Sequence, residues 1–341
     1  MSRQYIVLTA VLIACAGWLG GCAGKSDPAG DPHAYWQRLA TSLKDSTQPR
    51  EQALAAQWLG LTLMDDQVGA QSTMGNPADS AIESAISGLL TKVNTSDDPV
   101  ALSLATQVGV RRKDQHAISS TAGRWQVVEP DNLAPRLFAD TPIDTVLAGA
   151  RDTTRYETHG YDQIRLMTSV FKRWPMSREE MGSGYSKALA DDEARAAANA
   201  FGIWAAFAIP AFQNLVNACR DGDLLSTPTR REDCLHVGKV MAGNSSDLLS
   251  KGIGISILER AASTQEDIAL ATTLRRNKEW QQHHYFEIFT EHKDEQQYAS
   301  DMLRLLKTPG VDNEIQLMET ALREKGIALV PPQDWQPPKR S

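Results

Sequence analysis

The stretch Gly252-Ile253-Gly254-Ile255-Ser256-Ile257 alternates isoleucine with small residues, the spacing of a half-buried strand, and no other part of the chain carries that pattern. Read as a strand, it would bring a sheet into the protein. Its flanks argue otherwise. Asp247-Leu248-Leu249 before it and Leu258-Glu259-Arg260 after it continue a helical pattern, and the glycines would let a neighbouring helix approach closely. The segment is expected to be helical and the fold all-α.

Helix punctuation recurs outward from there. His33 to Ser46 and Pro49 to Met64 read as a first pair, the second with Leu54, Trp58 and Leu61 on one face. Asn76-Pro77, Asp98-Pro99 and Thr141-Pro142 each set a capping side chain before a proline that suits a first helical turn. The helix after Asn76 would bury Ile82, Ile86, Leu89 and Val93, and the one after Asp98 would bury Leu102 and Leu104. Ser177-x-x-Glu180 and Ser263-x-x-Glu266 have the form of capping boxes. Gly326 fits a stop after a helix over Val311 to Lys325 that lines up Ile315, Met318 and Leu322. The expectation is about sixteen helices of ordinary length. Glu193 to Asn217 is the most apolar part after the N-terminal segment, but it is alanine-rich and interrupted by Pro210. It reads as a central helix, hydrophobic all round and enclosed by neighbours, in preference to a membrane span.

Trp125-Gln-Val-Val-Glu-Pro130-Asp131-Asn132 resembles the junction between tetratricopeptide repeats, where proline ends one helix and the following polar residues cap the next. One junction matches, without the full repeat signature or a 34-residue period. The resemblance therefore implies irregular helical hairpins, not a regular array.

At the N-terminus, Arg3 is followed by an apolar run from Tyr5 to Trp18. Such a run of about 14 residues suits a signal h-region and is short for a span. Leu19-Gly20-Gly21-Cys22 then resembles the lipobox of bacterial lipoproteins, which implies cleavage before Cys22 and a diacylglycerol on its thiol. Ala23, where an aspartate would favour inner-membrane retention in that family, implies an outer-membrane address. The expected organisation is a signal peptide over 1–21, a flexible tether over 22–32, an N-terminal helical part over 33–175 and a C-terminal helical part over 176–341. Together with the Pro-Asp-Asn junction, the spacing of Cys219 and Cys234 and the ending Pro331-Pro332-Gln333-Asp334-Trp335, the chain is similar to uncharacterised helical envelope lipoproteins of diderm bacteria.

The formal charge of −7 becomes one unit more negative when Arg3 leaves with the signal. No basic stripe interrupts the mixed charges, and that argues against nucleic-acid binding. Of the four cysteines, Cys15 lies in the signal and Cys22 is assigned to lipid. Cys219 and Cys234 remain, and in an oxidising compartment they are expected to pair and staple two consecutive helices.

The best constellation for chemistry is Trp280-Gln-Gln-His283-His284-Tyr-Phe-Glu287-Ile-Phe-Thr-Glu291-His292. On a helix, His283, Glu287 and Glu291 share one strip while His284 and His292 flank Ile288, so imidazole and carboxylate could share a metal ion or a proton. The order is not that of helical zinc hydrolases, and a solvated helix edge explains the same residues. Gly182-Ser183-Gly184-Tyr185-Ser186 lacks the strand of a nucleophile elbow, and Gly252-x-Gly254 lacks a phosphate-binding lysine. His159 reads as a hydrogen-bonded packing residue between helices, and Trp36, Trp58, Trp125, Trp174 and Trp204 as core filling. No catalytic residue and no cofactor is assigned. These readings favour a non-enzymatic module for protein–protein contact held at the membrane through Cys22, such as an immunity protein or an assembly adaptor. The alternative is a lipidated periplasmic hydrolase or ligand-binding protein on a helical scaffold.

Overall fold

A computed structural model of the chain describes residues 32–69, 77–139, 141–177, 180, 191–207, 212–220, 222, 228–290 and 295–337. Among these residues it holds fifteen α-helices, one 3-10 turn and no strand. The helices are α1 (Pro32–Leu43), α2 (Pro49–Gly69), α3 (Pro77–Val93), α4 (Pro99–Arg112), α5 (Gln115–Val128), α6 (Ala134–Phe138), α7 (Ile143–Gly149) and α8 (Gly160–Arg173). They continue as α9 (Asp192–Phe207), α10 (Gln213–Ala218), α11 (Pro228–Asn244), α12 (Leu248–Ala261), α13 (Gln265–Thr290), α14 (Glu295–Lys307) and α15 (Glu314–Glu324). Helix lengths from 5 to 26 residues make the array irregular. Among the described residues extended pairing is confined to two isolated parallel bridges, Asn132 with Arg155 and Tyr156 with Ser245.

The chain forms two compact units, and each takes two stretches of sequence: residues 1–128 with 162–209, and residues 129–161 with 210–341. Contacts between stretches distant in sequence set this division.

In the first unit α1 packs on α2, α2 on α3 and α4, and α4 on α5. The enclosed helix here is α4, whose residues Val100 to Gly109 are all buried. Ser103 and Thr106 are accommodated by short hydrogen bonds. Thr106 Oγ1 donates to Leu102 O at 2.8 Å and also lies 2.9 Å from Thr121 Oγ1, and Ser103 Oγ accepts from Gln163 Nε2 at 3.1 Å. Asp98 caps α4 through its carboxylate, which accepts from Val100 N and Ala101 N. The expected enclosed helix, now α9, is corrected: it buries Ala194, Ala197, Ala200 and Ile203 but leaves Ala198, Asn199 and Phe201 half-buried. Mean apolarity does not decide enclosure there: the Thr106 hydroxyl is satisfied by the Leu102 carbonyl of its own helix, so α4 can carry it into the interior. Among the described residues no helix is long and apolar enough to cross a membrane. Trp36 stacks on Trp58 at 5.1 Å, and Phe171 and Tyr35 pack around them, so these tryptophans fill core.

In the second unit α11 and α12 form the closest hairpin, α12 packs on α13, and α15 packs on α13 and α14. The alternating stretch 252–257 lies inside α12. Its Gly254 faces α11 so closely that an added Cβ would meet Met241 Cβ and Ala242 N at 2.5 Å. Gly238 of α11 meets Leu258 N of α12 at 2.8 Å in the same sense. Two glycines, one per helix, thus set the separation of the pair.

Several caps sit one residue from their expected places. The box before α13 is Thr264 with Asp267, not Ser263 with Glu266: Asp267 N donates to Thr264 Oγ1 at 3.1 Å, and Thr264 Oγ1 donates to Asp267 Oδ2 at 2.7 Å. Pro142 is itself the cap residue of α7 and Thr141 does not cap it; the helix in the 311–325 region starts only at Glu314, capped by Asn313. Elsewhere the expectation holds. Ser177 N donates to Glu180 at 2.6 Å and Glu180 N donates to Ser177 Oγ at 3.1 Å, a reciprocal box. Gly326, at φ +70, ends α15, with Ile327 N donating to Leu322 O at 2.9 Å and Gly326 N to Arg323 O at 3.0 Å. Asn76 and Pro210 lie outside the described residues.

Cys219, at the end of α10, and Cys234, in α11, form a disulfide with Cα atoms 5.8 Å apart, and both are fully buried. The same end of α11 is fastened by Arg151, whose guanidinium donates to Asp233 at 2.6 Å, and by a 3.0 Å contact of His236 Nε2 with Thr153 O.

Candidate functional site

The last two turns of α13 bring His283, His284 and Glu287 together. Glu287 lies four residues after one histidine and three after the other, so a single carboxylate reaches both rings. Its Oε1 is 3.3 Å from His283 Nε2 and its Oε2 is 2.7 Å from His284 Nδ1. The side chains are 39%, 22% and 54% exposed respectively, so solvent reaches all three.

The sequence strip of His283, Glu287 and Glu291 is therefore joined at its first two members. Glu291 and His292 lie outside the described residues. The third group is His284, which the strip argument set aside because neighbours in sequence point about 100° apart on a helix. Glu287 closes that angle by offering one oxygen to each ring.

Side chains from the C-terminal segment's surroundings brace the cluster. The Trp280 ring meets the His284 ring edge-on at 4.1 Å and the Trp335 ring at 5.4 Å. Trp280 Nε1 donates to Ala328 O at 2.7 Å, Gln281 Nε2 donates to Leu329 O at 2.9 Å, and Arg276 donates to Gln333 O at 2.9 Å. Three side chains of one helix thus strap residues 328–335 along α13. The tryptophan-bearing tail was legible as a motif, but its partner was not.

A second concentration of polar groups lies at the Pro130-Asp131-Asn132 junction. Asn132 is fully buried, and both ends of its amide are used. Its Oδ1 accepts from Ala134 N and Glu157 N at 3.0 Å each, and its Nδ2 donates to Glu129 Oε2 at 2.9 Å and Glu157 O at 2.8 Å. His159 has positive φ (+58) and sets Nε2 2.9 Å from Glu129 Oε2, while Arg155 donates to Glu129 at 2.9 Å and Asp131 at 3.0 Å. Burial alone would raise the Glu129 carboxyl, but His159, Asn132 and Arg155 outweigh it and hold the group well below the usual carboxylate range. These bonds tie the start of the short α6 to the loop before α8. His159 is the hydrogen-bonded packing residue its isolation suggested.

Close by, Glu314 Oε2 accepts from Leu248 N at 2.8 Å and Glu314 N donates to Ser246 O at 3.0 Å, which docks the start of α15 on the α11–α12 corner. Burial first, and the neighbouring Asp247 carboxylate second, push Glu314 up to about 7.

Gly252 and Gly254 lie within α12, and the role shown for Gly254 is helix packing. Gly182 to Ser186, like Cys22 and residues 1–31 as a whole, lies outside the described residues. Compared with protein-family models, curated proteins and solved structures, the chain matches none.

Proposed function

We propose that the chain is an envelope lipoprotein, anchored through an acylated Cys22, whose helical domain binds a protein partner. Within that reading the partner is a toxic protein delivered into the envelope by a neighbouring cell, and the lipoprotein acts as an immunity factor. The observation that carries the compartment is the buried Cys219–Cys234 bridge, because disulfides persist outside the reducing cytosol. It supports the lipobox-like Leu19-Gly20-Gly21-Cys22 independently of the N-terminal residues themselves. Helical hairpins stacked side by side supply extended surfaces suited to protein ligands. An acidic chain would also speed capture of a basic partner in a salt-dependent way.

Competition of a deletion strain against its toxin-armed parent tests this. Loss of the mutant only when the parent's secretion machinery is intact supports immunity. An envelope defect in pure culture without sensitivity to the parent rejects it in favour of an assembly adaptor. Fatty-acid labelling of wild type and Cys22→Ser tests the anchor separately, and equal labelling of the two would exclude it.

A further inference from the structure

We propose that His283, His284 and Glu287 form a binding site for one divalent transition-metal ion of the zinc class. Two imidazoles and a carboxylate are the donor set such ions take, and three protein donors leave a fourth position for water. Tetrahedral coordination at the usual bond lengths of about 2.0–2.1 Å places donors about 3.4 Å apart. His283 Nε2 and Glu287 Oε1 stand 3.3 Å apart, and all three groups present donor atoms within 4.8 Å of one another.

The surroundings favour a cation. Glu287 is in the last turn of α13 (Gln265–Thr290), where the helix dipole presents partial negative charge. His284 is held by the Trp280 ring, which is itself fixed by its hydrogen bond to Ala328 O, so one ligand is oriented before the ion arrives. Partial exposure leaves a path for entry and for water to complete the coordination. His159 and Glu129 pair an imidazole with a carboxylate just as closely, but there the Arg155 guanidinium already sits on the carboxylate and would repel a cation.

Full-length protein in detergent, stripped with a chelator and titrated with Zn²⁺ by calorimetry at pH 7.5, is expected to bind one ion per chain. His283→Asn and Glu287→Gln are each expected to weaken binding by about tenfold or more, whereas His236→Asn leaves it unchanged. His283 is exposed enough that its variant keeps the fold, and an unchanged melting temperature checks that. Absence of saturable zinc binding would overturn the proposal. So would binding that persists undiminished in the His283→Asn/His284→Asn double variant. Neither result bears on lipidation or partner capture.

Discussion

At the scale of single residues, the groups that matter most are polar ones whose settings are supplied by distant chain. Glu314 heads α15, where the helix dipole favours a charged carboxylate, yet burial and Asp247 push it up to about 7, with Leu248 N and Lys278 only partly offsetting them. A folded pKa above the unfolded value of a glutamate means that folding binds a proton more tightly. This group's contribution is therefore fully favourable below the unfolded pKa of about 4.3 and is lost as pH rises through about 7. Glu314→Gln keeps an oxygen for Leu248 N and removes the charge. The variant is expected to be about 1–2 kcal/mol more stable than wild type at pH 8 and indistinguishable at pH 4, as read by chemical denaturation. An equal change at both pH values would show that shape, not charge, decides this position. Asn132 tells a related story: its place in a Pro-Asp-Asn junction was readable as a cap, and it does accept from Ala134 N, but its bonds to Glu157 lie 25 residues away.

Helices are the next scale, and α11 with α12 shows how one pattern supports two readings. Alternation in 252–257 came from glycines that serve a helix face, not from a strand. The test uses one chemical change at two positions. Gly254→Ala drives a Cβ to within 2.5 Å of Met241 and Ala242 on the facing helix, and the pair must separate. The expected cost is about 1–3 kcal/mol. Gly243→Ala, at an exposed site of α11 where nothing lies within 4 Å, is expected to stabilise by up to about 1 kcal/mol through helix propensity. Thermal denaturation of the two variants decides the matter, since a Gly254→Ala protein as stable as wild type would mean the helices are not held at glycine distance. The shifted caps belong to this scale too. Thr264 with Asp267 and Ser263 with Glu266 offer the same chemistry one residue apart, and only the packed position of α13 selects between them.

At the scale of the molecule, two units each gather separate stretches of chain. The Cys219–Cys234 bridge acts inside the second, closing a loop of 15 residues between α10 and α11. By loop entropy such a cross-link contributes about 3 kcal/mol. The Cys219→Ala/Cys234→Ala variant is expected to lose about that much and to melt several degrees lower. Both wild-type thiols should resist alkylation until the protein is reduced and unfolded, given their burial. Rapid labelling of Cys219 or Cys234 in native, unreduced protein would contradict the bridge.

The sequence by itself determined the fold class, most helix locations, the cysteine pair and the neighbourhood of the His-Glu cluster. These depend on local spacing: a 3.6-residue period, a cap before a proline, two cysteines fifteen residues apart, a carboxylate three or four residues from an imidazole. It did not determine which helix is enclosed. α4 takes that place with its polar groups partnered from other helices, Ser103 by Gln163 across 60 residues of chain and Thr106 by Thr121. Nor did it determine how the chain divides, that His284 joins His283 and Glu287 although sequence neighbours diverge on a helix, or that Trp335 returns to brace Trp280. Each of these is a contact between residues far apart in sequence or turned away from one another on an ideal helix. Such contacts follow from the simultaneous packing of all the helices, and no local pattern encodes them.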